Sequence, residues 1–154
     1  MRLRRAPRLA AVLCCLALAA CGGGGSGPYV AFTGGGFLFN YRIAEASYGF
    51  VARVLRPIPA GTIIEAEFED PAGGPPIVMR RRAVGMQITI SFQSPAVKGV
   101  EAGRSYRAVL RLIEPETGRV LDSQERMILS EADQKLLPAR PPVVGPGYQP
   151  APEP

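Results

Sequence analysis

The stretch Thr62 to Asp70 alternates without a break: Ile64, Ala66 and Phe68 are apolar, and Glu65, Glu67 and Glu69 stand between them. Successive side chains on a strand point to opposite faces, so this pattern describes a strand with one dry face and one wet one. The same period recurs. Met86, Ile88, Ile90 and Phe92 alternate with Gln87, Thr89, Ser91 and Gln93, and Tyr106, Ala108, Leu110 and Leu112 alternate around Arg107 and Arg111. Tyr48, Phe50, Ala52 and Val54 share a further face. With Phe37–Ile43, Ile77–Val84 and Val120–Leu129, the spacing predicts about seven strands: 37–43, 48–55, 62–70, 77–84, 86–93, 105–114 and 120–129.

The segments between them carry turn chemistry. Pro57-Ile58-Pro59-Ala60-Gly61 ends one strand, Asp70 to Pro76 forms a wide hairpin loop, and Glu114-Pro115-Glu116-Thr117-Gly118 reads as a type I turn with a glycine bulge. Short strands at this spacing predict an all-β, immunoglobulin-like antiparallel β-sandwich over 37–137, long enough at 101 residues to fold alone. Gly103-Arg104-Ser105-Tyr106 resembles the tyrosine corner of fibronectin type III and related immunoglobulin-like domains, which implies that the Tyr106 hydroxyl bonds back to the preceding loop. One short C-terminal helix is expected over Ser130–Leu137, capped by Ser130 and stopped by Pro138. Residues 21–36, glycine-rich and interrupted by Tyr29, Val30 and Phe32, are expected to be a flexible tether with a short edge strand as the alternative. Residues 138–154 are expected to be a disordered, proline-rich tail.

The first twenty residues read as an export signal. Arg2, Arg4, Arg5 and Arg8 precede a twelve-residue apolar run, Leu9 to Ala20, too short for a bilayer span of about 20 residues. Leu18-Ala19-Ala20-Cys21 resembles the bacterial lipobox. The resemblance implies cleavage before Cys21, a diacylglycerol on its thiol and acylation of the new amino group. Residues 1–20 would then be removed as a signal peptide, with Cys21 as the membrane anchor. Gly22 stands where an aspartate marks inner-membrane retention in enteric-type sorting, so the expected location is the outer membrane, facing the periplasm.

Composition narrows the chemistry. The formal net charge of +5 comes from 18 Lys+Arg against 13 Asp+Glu, but four arginines lie in the signal and leave 14 against 13. A nearly neutral mature chain offers no footprint for nucleic acid. All three cysteines, Cys14, Cys15 and Cys21, belong to the signal or the anchor, and there is no histidine. The usual general base, thiolate nucleophile and zinc ligands are therefore missing, and neither a cofactor nor a metal is expected. Glu65, Glu67 and Glu69 lie about 7 Å apart along one strand face. They read as a solvated acidic row, since a glycosidase pair needs two carboxylates facing across a cleft. Arg80-Arg81-Arg82 is the most visible charge run. It is a candidate contact for an anionic partner, but the plainer reading is a set of cross-strand partners for the glutamates, with at least one arginine left over because Arg80 and Arg82 face away from Arg81.

Pro59 to Asp70, Ile88 to Phe92, Gly103 and Tyr106 together resemble the run of strands in YbaY/YscW-type small envelope lipoproteins. Some members of that group are pilotins, so the resemblance implies an assembly or scaffold role with an envelope protein as partner. The expected function is a lipid-anchored, non-enzymatic interaction domain in the periplasm. The alternative is a glycan- or lipid-binding envelope module.

Overall fold

The computed structural model describes residues 27–145, 147 and 149–151. The strands are β1 (Val30–Asn40), β2 (Glu45–Val54), β3 (Ile63–Phe68), β4 (Ile77–Arg82), β5 (Thr89–Gln93), β6 (Ser105–Ile113), β7 (Val120–Leu129), β8 (Val143–Val144) and β9 (Gln149–Pro150). The first seven make an immunoglobulin-like antiparallel sandwich of a three-stranded sheet, β1-β2-β5, and a four-stranded sheet, β4-β3-β6-β7. β8 and β9 form a separate minimal hairpin.

The alternation seen in the sequence sets the core. Tyr48, Phe50, Ala52, Ile90 and Phe92 from the first sheet meet Ile64, Ala66, Phe68, Tyr106, Ala108, Leu110 and Leu112 from the second, and all are buried. Tyr48 sits at the centre: it stacks on Phe37 at 4.6 Å and meets Phe68 edge-on at 5.1 Å. Such ring pairs add about 0.5–1.5 kcal/mol beyond burial. Its hydroxyl crosses the core to donate to the carbonyl of Glu69 on the far sheet. Burial, followed by the nearby Glu69 charge, pushes the Tyr48 phenol well above its ordinary range. At the start of β6 the Glu101 N–H donates to the Tyr106 hydroxyl oxygen at 2.8 Å, the corner that the Gly103–Tyr106 stretch led us to expect.

Several sequence expectations change. The tether was drawn to Gly36, but β1 begins at Val30, which is fully buried, and pairs with β2 from Val30↔Val54 to Asn40↔Glu45. The glycines suit a strand here because Gly35 faces Ile128, which an added Cβ would approach to 3.2 Å. Asp122 of β7 fixes the start of β1 by accepting from the Tyr29 and Val30 N–H groups at 2.6 and 3.0 Å.

Met86 and Ile88 were placed on the inner face with Ile90 and Phe92, yet both are exposed. The β2–β5 ladder reaches Arg53↔Thr89 and closes with the Val54 N–H donating to Ile88, so Ile88 lies at the very end of the sheet and Met86 beyond it.

The helix expected over Ser130–Leu137 is only a 3-10 turn, Gln134–Leu136, with Asp133 rather than Ser130 as its cap. The Ser130 backbone instead extends the β7 pairing, exchanging bonds with Gly103 and Arg104 at 2.7 and 2.9 Å. Gln134 binds the 97–100 loop through its side chain, and those contacts hold the segment extended. The proline-rich tail, expected to be disordered, instead carries a minimal hairpin in which β8 and β9 pair Val143 with Pro150, held next to the β1–β2 turn by the Val143 N–H donating to Arg42.

Candidate functional site

The outer face of the four-stranded sheet is an ionic lattice. Register places Glu65 directly between Arg80 on β4 and Arg111 on β6. The chain of contacts runs Arg80–Glu65 (2.6 Å), Glu65–Arg111 (2.9 Å), Arg111–Glu67 (2.7 Å), Glu67–Arg107 (2.9 Å) and Arg107–Glu125 (2.7 Å), crossing all four strands. Glu69 closes the row by accepting from the Arg107 N–H and pairing with Arg104 at 3.2 Å. Between the charges lies Val109, 2% exposed although it faces outward, because Glu67 and Glu125 stand opposite it and Arg107 and Arg111 flank it.

The glutamates therefore differ from the solvated row expected of them: Glu65 is only 5% exposed. Burial raises its carboxyl, but the hydrogen bonds and charges of Arg80 and Arg111 outweigh that and hold it below the usual carboxylate range. Glu67 is held low chiefly by the Arg111 hydrogen bond. Two carboxylates fixed in this way are ionised partners at neutral pH and have no proton to trade. Sequence alternation put Arg107 and Arg111 on the correct face. The hub position of Arg111 was hidden because it depends on β6, forty-odd residues downstream, lying beside β3.

The arginine run divides by parity. Arg80 joins the lattice. Arg81, opposite the buried Ile64, turns towards the open side of the sandwich and lays its guanidinium 4.7 Å from the Phe92 ring centre. Arg82 is exposed and has no carboxylate at ion-pair distance among the described residues. Cys21, Leu18, Ala19 and Ala20 lie outside the described residues.

The outer face of the three-stranded sheet is different in kind. Gly36 and Gly49 are cross-strand neighbours, so two adjacent positions carry no side chain. They floor an open depression of about 430 Å³ walled by Leu38, Val51, Ser91 and Gln93. Gly49 is required by close approach: an added Cβ would come within 2.4 Å of the Phe92 carbonyl oxygen. Beside the depression runs β5, an edge strand of the sheet, reading Thr-Ile-Ser-Phe-Gln with no charge. The opposing edge strand, β4, carries three arginines, the common guard against strand pairing.

No group of three or more metal-ligating side chains occurs among the described residues, and none of their helices is long and apolar enough to cross a membrane. No family model and no curated protein matches the chain. Among solved structures it is similar to a calcium-binding mutant of Bacteroides uniformis beta-glucuronidase 2, at 14% identity and a TM-score of 0.43 over 66% of this chain. The chain spans only 13% of that enzyme's length.

Proposed function

We propose that this protein is a lipid-anchored, non-enzymatic interaction module of a bacterial envelope, held through Cys21 in the outer membrane and facing the periplasm. The observation that carries the interaction role is the uncharged edge of β5 beside the glycine-floored depression. An extended segment of a partner can add to such an edge through main-chain hydrogen bonds. The contrast with β4 supports this reading, since one edge is guarded by arginines and the other is left open. The clamped state of Glu65 and Glu67 supports a structural use of the acids rather than a hydrolytic one. A glycan platform is less well supported, because Phe37, Tyr48, Phe50 and Phe92 turn their rings inward. The resemblance to YbaY/YscW-type lipoproteins points the same way, towards assembly of another envelope protein.

The test is photo-cross-linking in cells, with the photoreactive residue at Ser91 on β5 or at Val78 on β4, and with Cys21→Ser as control. One dominant envelope protein captured from Ser91, absent from Val78 and lost without the anchor, is the expected result. No protein captured from Ser91, at normal expression and membrane fractionation, would overturn the assembly role and favour glycan or lipid binding.

A further inference from the structure

The sandwich has two unlike poles. At one, the start of β1 meets the β2–β3, β4–β5 and β6–β7 connections; Leu55 N–H donates to Tyr29, Val54 N–H to Ile88 and Ala83 N–H to Thr62. The β4–β5 connection is pinned at both ends by the last two bonds, at 2.8 Å each. Between the pins, Val84, Met86 and Ile88 are 75%, 96% and 75% exposed, and Gly85 holds the tip in the left-handed region at φ +57°. The fixed base gives these side chains no route back to the core. Three large apolar side chains on one constrained loop are more than scattered surface hydrophobics.

Charge gathers at the same pole. Residues 27–30, 53–62, 81–89 and 113–122 hold five arginines (Arg53, Arg56, Arg81, Arg82 and Arg119) and three acids (Glu114, Glu116 and Asp122). The rest of the chain after Ala20 has nine basic and ten acidic residues. The pole is therefore net +2 on a remainder of −1. Arg56 also covers the Tyr29 ring, at 3.5 Å from its centre.

Finally, this is the pole at which the chain arrives from Cys21. Because β1 begins at Val30 rather than after the glycines, only six steps separate Cys21 from Gly27. At 3.3–3.6 Å per residue that is a reach of about 20 Å. We infer that the Val84–Ile88 loop, with Arg82 beside it, inserts its apolar side chains into the headgroup region of an anionic phospholipid bilayer and seats the sandwich pole-down on the membrane. Apolar side chains at the acyl boundary with arginines at the phosphates is the arrangement that interfacial binding favours. The orientation rests on the anchor at Cys21; the chemistry of the loop does not.

The test uses the full chain, purified acylated from membranes, with Met86→Cys carrying an environment-sensitive fluorophore and Ala72→Cys, in the β3–β4 connection at the other pole, as control. Each is reconstituted into phosphatidylcholine vesicles and into equimolar phosphatidylcholine–phosphatidylglycerol vesicles. The Met86 probe should shift to the blue and be quenched by lipid-borne nitroxide in the anionic vesicles, with a weaker response in the neutral ones and none at position 72. Arg82→Ala should lower the bound-to-free ratio of the loop about fivefold. Solvent-like emission at position 86 in both vesicles would overturn the proposal. So would protection seen only in native envelope membranes, which would assign the loop to a protein partner. The anchor is read separately, because an unacylated Cys21 would take up the fluorophore itself; that result would remove the anchor and leave the vesicle response to judge the loop.

Discussion

Arg111 holds Glu65 and Glu67 at once, its Nη1 lying 2.9 Å from one carboxylate and 2.7 Å from the other. Removing it leaves Glu65 and Glu67 with one arginine each, Arg80 and Arg107, and Glu65 is buried. Arg111→Ala should therefore destabilise the fold by roughly 2–3 kcal/mol, below the full cost of breaking a buried pair because Arg80 and Arg107 remain. Both contacts leave one nitrogen, so Arg111→Lys should recover part of this through its charge, limited by the shorter reach of its compact ammonium. Urea unfolding of both variants checks it, and a loss under about 0.5 kcal/mol would place the lattice among ordinary surface pairs.

The same pair fixes an acid limb. The folded-state values of Glu65 and Glu67 lie below their unfolded ones, so the unfolded chain binds more protons as pH falls. Their contribution is present above the unfolded carboxylate value, about 4.3, and is lost as pH drops through the lower folded values. Stability measured against pH should fall more steeply below pH about 4.5 in the native chain than in Arg111→Ala. Parallel curves would remove the lattice as its source.

Gly49 and Gly36 face each other across β1 and β2, yet they should respond in opposite ways. Gly49→Ala drives a methyl into the Phe92 carbonyl and should cost about 1–3 kcal/mol, with faster hydrogen exchange along β5. Gly36→Ala meets nothing within 4 Å and should be neutral or slightly stabilising. Equal thermal shifts for the two would contradict the close approach of β2 and β5.

The Tyr106 hydroxyl is the acceptor for the Glu101 N–H, and the Tyr48 hydroxyl is a donor to the Glu69 carbonyl. Tyr106→Phe should destabilise by about 1–2 kcal/mol by leaving an amide without its partner. Tyr48→Phe should cost a similar amount by unfastening the two sheets at their centre. Denaturant midpoints that match the native chain would show both hydroxyls to be incidental.

Arg81 bridges the open side between β4 and β5 through the Phe92 face. Arg81→Ala should cost about 0.5–1 kcal/mol and raise exchange at β5 amides before those of β6. Uniform protection loss across both sheets would argue against a local role.

Strand positions were legible wherever the hydrophobic period matched the pairing. Ile64, Ala66 and Phe68 could be placed inside from spacing alone, and so could Tyr106 to Leu112. Alternation names a face without saying where a neighbour ends, which is why Met86 and Ile88 are assigned to a core whose strand pairing begins only at Thr89, one residue beyond Ile88 and three beyond Met86. The depression at Gly36 and Gly49 could not be read either, because two glycines thirteen residues apart become neighbours only through the β1–β2 register. The lattice was half visible. Glu65 opposite Arg80 follows from one hairpin, whereas Arg111 enters through a strand distant in sequence.

β1 begins at the pole where the chain arrives from Cys21, and β7 ends at the other, where the tail leaves beside the β1–β2 turn. Ten residues of β2 run between them, about 30 Å at 3.3 Å per residue. The sandwich thus works as a ruler. Whatever holds Tyr29 near a surface presents Val143 and the prolines around it a fixed height above that surface, and shortening the strands would lower that height without altering any residue of the tail.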